Sequence, residues 1–181
     1  MRTMETVISE LLPELSLVGD AELRDKVVAV YEAALERGGW KAEDMNRIPF
    51  TLLIEPCPAT YAEHVRGVTW CALASAKALS KIYGDRVEVN RDYLVAGALL
   101  HDVGKLLEYA EEDGKFVKSE AGRLLRHPFS GAALAAEFRL PDEVTHIVAV
   151  HAKEGEGARA SAEAVLVHHA DFMNFEPFKL K

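Results

Sequence analysis

Six side chains capable of metal binding or acid–base chemistry occur in the order His64, His101, Asp102, His127, His151 and Asp171. Imidazole nitrogen combined with carboxylate oxygen suits Fe, Mn, Ni, Co or Zn, and is a poor cage for Ca or Mg alone. Four His and two Asp are about the number needed for two divalent transition-metal ions with positions left for water or substrate. His101 and Asp102 are neighbours, and successive helical residues point about 100° apart. They can flank one point only if a helix end abuts it, with the carboxylate free to bridge two ions.

The elements that must position these groups are helices. Val7, Ile8, Leu11, Leu12 and Leu15 predict a helix over 3–16. Asp20 caps a second that runs to Arg37 and stops at Gly38-Gly39. Residues 40–58 form a connector containing Pro49, Pro56 and Pro58 around the apolar stretch 50–54. A long helix is predicted over 60–83, and Asn90 caps another that ends near Gly104. Asp113-Gly114 between short mixed segments is a β-hairpin signal. Helices follow at about 127–138, 141–152 and 160–173, with Pro128 and Pro141 at helix starts. Five helices would thus each aim ligands at a common centre. The fold class is all-α with at most one small hairpin: residues 1–55 form a helical extension and 56–181 the main domain.

The ordered set, with Gly97-Ala-Leu-Leu-His-Asp-Val-Gly-Lys105 around the doublet and His127-Pro-Phe-Ser-Gly131 after it, resembles the HD-domain superfamily of metal-dependent phosphohydrolases. The resemblance covers about residues 60–175 and implies an HD-domain helical bundle. It implies one ion on His64, His101, Asp102 and Asp171, and a second on Asp102, His127 and His151. It further implies a metal-bound hydroxide attacking phosphorus in a small phosphate ester or nucleotide. Lys105 could then offer its ammonium to a phosphate oxygen, with Asp102 and Lys105 as catalytic groups. Arg66, Arg123 and Arg126 are further candidates for phosphate contact. Some superfamily members with the same ligand set are di-iron oxygenases acting on organophosphonates or polyols, and others are non-catalytic signalling modules. The chain has His151-Ala-Lys-Glu-Gly-Glu-Gly157 where the cyclic-dinucleotide phosphodiesterases carry His-His-Glu and Gly-Tyr-Pro segments, which disfavours that branch.

The remaining histidines have ordinary readings. His146 lies about 140° round its helix from His151 and is structural. His168 shares the face of Asp171, as a substitute ligand or as a partner that orients one, and His169 points away. Tyr61 and Glu63 precede His64 and could reach the mouth of the site, but capping and surface roles are the favoured reading. Cys57 and Cys71 form neither a metal spacing nor a disulfide framework.

Composition bounds the partners. The 181-residue chain carries 21 Lys and Arg against 29 Asp and Glu, a net charge of −8. That argues against a nucleic-acid polymer, whose binding needs a cationic surface, but not against a small phosphorylated substrate. No apolar run approaches the ~18–20 residues that span a bilayer, and the first residues lack a signal-peptide core, so a cytoplasmic setting is expected. The apolar faces of the extension must be buried, as a brace, a lid or a homodimer contact.

Overall fold

Side-chain caps start most of the long helices. Thr3, Asp20, Thr60 and Ser161 each accept from the backbone N–H three residues on, and Asn90 accepts from those of Asp92 and Tyr93. In the computed structural model, which describes residues 3–180, these caps open α1 (Met4–Leu11), α2 (Ala21–Gly38), α3 (Tyr61–Tyr83), α9 (Ala162–Met173) and α4 (Arg91–Leu100). Glu63 closes a capping box with Thr60, the Tyr61 hydroxyl meets that of Tyr31, and neither lines the cavity over the candidate ligands. Between α4 and α9 lie α5 (Lys105–Glu108), the hairpin β1 (Tyr109–Glu112) and β2 (Lys115–Lys118), α6 (Glu120–Leu124), α7 (His127–Glu137) and α8 (Asp142–Val150). The protein is all-α, with one two-stranded antiparallel sheet among the described residues. Asp113 and Gly114 turn it at φ 50° and 74°, the left-handed pair that matches strand twist.

Two expectations need correction. The first helix stops at Leu11, because Pro13 cannot donate into it and opens a 3-10 turn over Pro13–Leu17 instead. The short α5 and α6 carry too few residues to show a helical period, and the sequence did not announce them.

Beyond its charged first turn, helix α4 is apolar all round, and every residue from Leu94 to Leu100 is buried, which places it at the centre of the molecule. Val95, Leu99 and Leu100 share one cluster with Ile8, Leu12, Val27, Tyr31 and Leu35 of the N-terminal segment. Leu94 and Ala98 share another with Val68 of α3, Ile147 of α8 and Val167 of α9. The N-terminal helices therefore complete the core around α4. Among the described residues no helix is long and apolar enough to cross a membrane.

Candidate metal centre

His101 and Asp102 leave the C-terminal end of central α4 and are fully buried, at 0% and 1% exposure. α3 supplies His64, α7 begins at His127, His151 follows α8, and α9 carries Asp171. The approach of α7 depends on Gly104, where an added Cβ would lie 2.1 Å from the His127 carbonyl oxygen. Only glycine lets these backbones come so close.

The two carboxylate oxygens of Asp102 face opposite ways. Oδ2 lies 3.4 Å from Nε2 of both His64 and His101, and Oδ1 lies 3.2 Å from His127 Nε2 and 3.6 Å from His151 Nε2. Asp171 Oδ1 is 3.1 Å from His64 Nε2. The ligand atoms thus fall into two groups that share Asp102: His64 with His101, and His127 with His151.

Tautomers follow from the outer hydrogen bonds. His101 Nδ1 donates to the Ala98 carbonyl at 2.6 Å, and His151 Nδ1 to that of Val148 at 2.8 Å. His127 Nδ1 donates to Glu108 Oε2 at 2.9 Å. With Nδ1 carrying a proton in each, the three rings turn Nε2 inward, the nitrogen that can ligate. The Nε2 atoms of His127 and His151 are 3.2 Å apart and face Asp102 Oδ1, a buried oxygen without a hydrogen-bond donor among the described residues. A buried cluster of acceptors with no donor between them is unfavourable unless a cation fills it. The donor set therefore fits metal ions, His64, His101, Asp102 and Asp171 on one side and Asp102, His127 and His151 on the other.

Charges around the cluster agree. Burial pushes the His127 imidazole down to about 4, leaving it neutral and able to ligate. Burial acts upward on Asp102, but the adjacent Lys105 ammonium outweighs it and holds the carboxyl well below its usual range. Lys105 Nζ donates to Asp102 Oδ2 at 2.5 Å and to the Phe50 carbonyl at 2.7 Å. Burial acts downward on this ammonium, but the Asp102 charge keeps it protonated. Lys105 thus balances Asp102, and two of its three protons are already taken.

The arginines divide. Arg66 turns away from the centre, its Nε 3.0 Å from Glu14 Oε1, where the buried Glu14 carboxylate also accepts from Trp70. Arg123 lies on α6, outside the cavity lining. Arg126 does line the cavity, held between Glu108 at 2.6 Å and Glu154 at 2.9 Å. His168 donates from Nδ1 to the His151 carbonyl at 2.6 Å, which steadies the turn bearing that ligand. His146 accepts from the Ala160 N–H at 3.0 Å.

The cavity above Asp102 has a volume of about 480 Å³. Phe50, Leu52 and Leu53 from the connector form one wall, and Phe172 and Phe175 form another. Phe50 stacks on His64 with ring centroids 4.5 Å apart. Lys153, Lys118 and Lys179 reach the rim, and Lys153 has no ion-pair partner among the described residues. Sequence reading missed Glu108, Phe50, Lys153 and the Phe172–Phe175 wall. The apolar stretch 50–54 was visible, but nothing local showed that it folds over the ligands.

The sequence model of the HD domain matches residues 61–173. The chain belongs to the HD domain family. The dihydroneopterin 2',3'-cyclic phosphate phosphodiesterase of Methanocaldococcus jannaschii is 36% identical to it over 166 residues, covering 85% of this chain and 63% of that protein. The chain thus spans less than two thirds of that relative's length. No solved structure matches the chain. All six candidate ligands lie inside the HD domain match, whereas Phe50–Leu53 and Phe175–Lys179 lie outside it.

Proposed function

We propose that this HD domain protein is a phosphohydrolase that cleaves a small phosphate ester carrying a flat aromatic body, using two divalent transition-metal ions. The observation that carries the reading is the pair of buried His/Asp groups sharing Asp102 beneath a cavity that is apolar on its walls and cationic at its rim. His64, His101, Asp102 and Asp171 would hold one ion, and Asp102, His127 and His151 the other. When bound, the ions supply positive charge for phosphoryl oxygens and acidify water toward neutral pH.

The chain's own residues do the rest. Asp102 is fixed by Lys105, whose second bond to the Phe50 carbonyl ties the cavity wall to the floor. Lys153 is the rim cation most able to take a phosphate oxygen, since Arg126 is already shared by two carboxylates. Leu52, Phe172 and Phe175 offer apolar area for a planar ring and keep water from the reacting phosphate. The relative's substrate joins a pterin ring to a cyclic phosphate, which matches an apolar wall beside a metal floor. A 2′,3′-cyclic phosphate of a pterin or nucleoside is therefore the first substrate class to test. The net charge of −8 supports a small ester over a polymeric polyanion.

The test is elemental analysis of the purified protein, followed by assay of metal-loaded enzyme on such cyclic esters with and without oxygen. The expected result is about two ions per chain and oxygen-independent opening of the ring to a phosphomonoester. Oxygen uptake without ester cleavage would overturn the hydrolase reading in favour of oxygenase chemistry. A protein that binds no metal would overturn both.

A further inference from the structure

The metal-ligating histidines are not held alike. His101 and His151 sit just past the C-terminal ends of α4 and α8, where the last helical carbonyls lack intrahelical donors. Each uses the carbonyl three residues back, Ala98 or Val148, to anchor its Nδ1. His127 is the first residue of α7, and the extended Leu125 and Arg126 before it break the chain from α6, so its own helix supplies no such carbonyl. Its anchor comes from elsewhere in the chain: Glu108, at the end of α5, 19 residues back.

Glu108 is 2% exposed, a costly position for a carboxylate unless it is well paired. Oε2 accepts from the His127 backbone N–H at 2.7 Å and from its Nδ1 at 2.9 Å. Oε1 takes Arg126 Nη1 at 2.6 Å and lies 3.4 Å from Lys118 Nζ. One carboxylate thus starts the helix, fixes the ring's tautomer and orientation, and gathers two cations of the cavity lining. A carboxylate behind an imidazole also makes the inward nitrogen a stronger donor than a neutral carbonyl does.

We propose that Glu108 is a positioning residue that sets the occupancy of the group formed by Asp102, His127 and His151, making it dependent on a carboxylate that the other group does not need. The proposal rests on the two-ion reading above. Without Glu108 the His127 ring is free to rotate and to carry its proton on the inward nitrogen. The ion on that side then weakens by about 10- to 100-fold, the usual effect of losing such an outer partner. The ion on the side of His64 and His101 is untouched, because its ligands come from α3, the end of α4 and α9, and His64, His101 and Asp171 make no bond to Glu108.

The test titrates metal-free wild type, Glu108→Ala and Glu108→Gln with Mn(II), counting bound ions and recording electron paramagnetic resonance for the exchange-coupled pair. Wild type is expected to bind two ions and show the coupled signal. Glu108→Ala should bind its first ion as wild type does, lose the second by the stated factor and give an uncoupled spectrum. Glu108→Gln keeps an acceptor for Nδ1 without the charge, and should fall between the two. Two ions at wild-type affinity in Glu108→Ala would overturn the proposal, as would equal weakening of both, which marks a general structural role. If Glu108→Ala does not fold, Glu108→Gln decides, and wild-type affinity for both ions there overturns it. Wild type that binds no ion, or shows no coupled pair, would instead refute the two-ion reading itself.

Discussion

Gly104→Ala tests whether backbone contact, rather than side-chain chemistry, brings the two halves of the centre together. Gly104 has φ −63° and ψ −17°, a conformation alanine adopts freely, so the substitution introduces no local strain. Its unfolded-state effect alone would stabilise by about 0.4–1 kcal/mol. The obstacle is space: the new Cβ would meet the His127 carbonyl oxygen at 2.1 Å, Ser130 Oγ at 2.7 Å and the Gly131 nitrogen at 2.8 Å. The closest contact falls about 1.3 Å short of ordinary van der Waals separation, and two of the three atoms are backbone. Because the start of α7 must retreat as a unit, the cost belongs at the upper end of the ~1–3 kcal/mol seen for overpacking. The net loss is about 2 kcal/mol, or roughly 4–8 °C in Tm for a chain of this length. The same retreat carries His127 about 1 Å from Asp102, whereas ligand distances tolerate only about ±0.2 Å. Urea denaturation of the metal-free protein measures the first effect, and metal counting measures the second. Wild-type stability together with two tightly bound ions would refute the reasoning, since α7 would then not be seated on Gly104.

Asp102→Asn keeps the shape of the bridging side chain but removes the charge that both ligand groups share and that Lys105 balances. Elemental analysis should find both ions lost, and retention of two would refute the bridging role. Lys153→Ala should leave metal content unchanged and lower kcat/KM on a cyclic ester by on the order of 10-fold, the worth of one charge-assisted hydrogen bond. An unchanged value would assign the phosphate to another cation. Asp92 joins the N-terminal segment to α4 by accepting from the Gly19 and Asp20 backbone N–H groups, each at 2.9 Å. Those bonds, the Gly19 one foremost, hold its carboxyl below the ordinary 3.8. Their contribution is therefore present above pH 3.8 and lost as pH falls through the depressed folded value. Asp92→Asn should be less stable than wild type at pH 7 by about 1 kcal/mol, and the gap should close in acid. A gap that persists at pH 2 would contradict this.

What the sequence by itself determined is local. Asp20 and Asn90 mark helix starts because each side chain reaches a backbone N–H two or three residues away. Asp113-Gly114 marks the hairpin because those residues tolerate positive φ. The six candidate ligands stood out for a different reason, since metal chemistry restricts residue types sharply and their order along the chain is visible directly. Tertiary structure decided everything that needs partners distant in the chain. It sent Arg66 to Glu14, 52 residues away, because that buried carboxylate needed donors more than the cavity needed a cation. It placed Arg126 between Glu108 and Glu154, and Lys105 against the Phe50 carbonyl. It built the cavity from the connector at Phe50–Leu53 and the C-terminal Phe172–Phe175, and it made Glu108 the anchor of His127. Burial and charge compensation are settled only when the chain has closed on itself, and no spacing along the sequence encodes them.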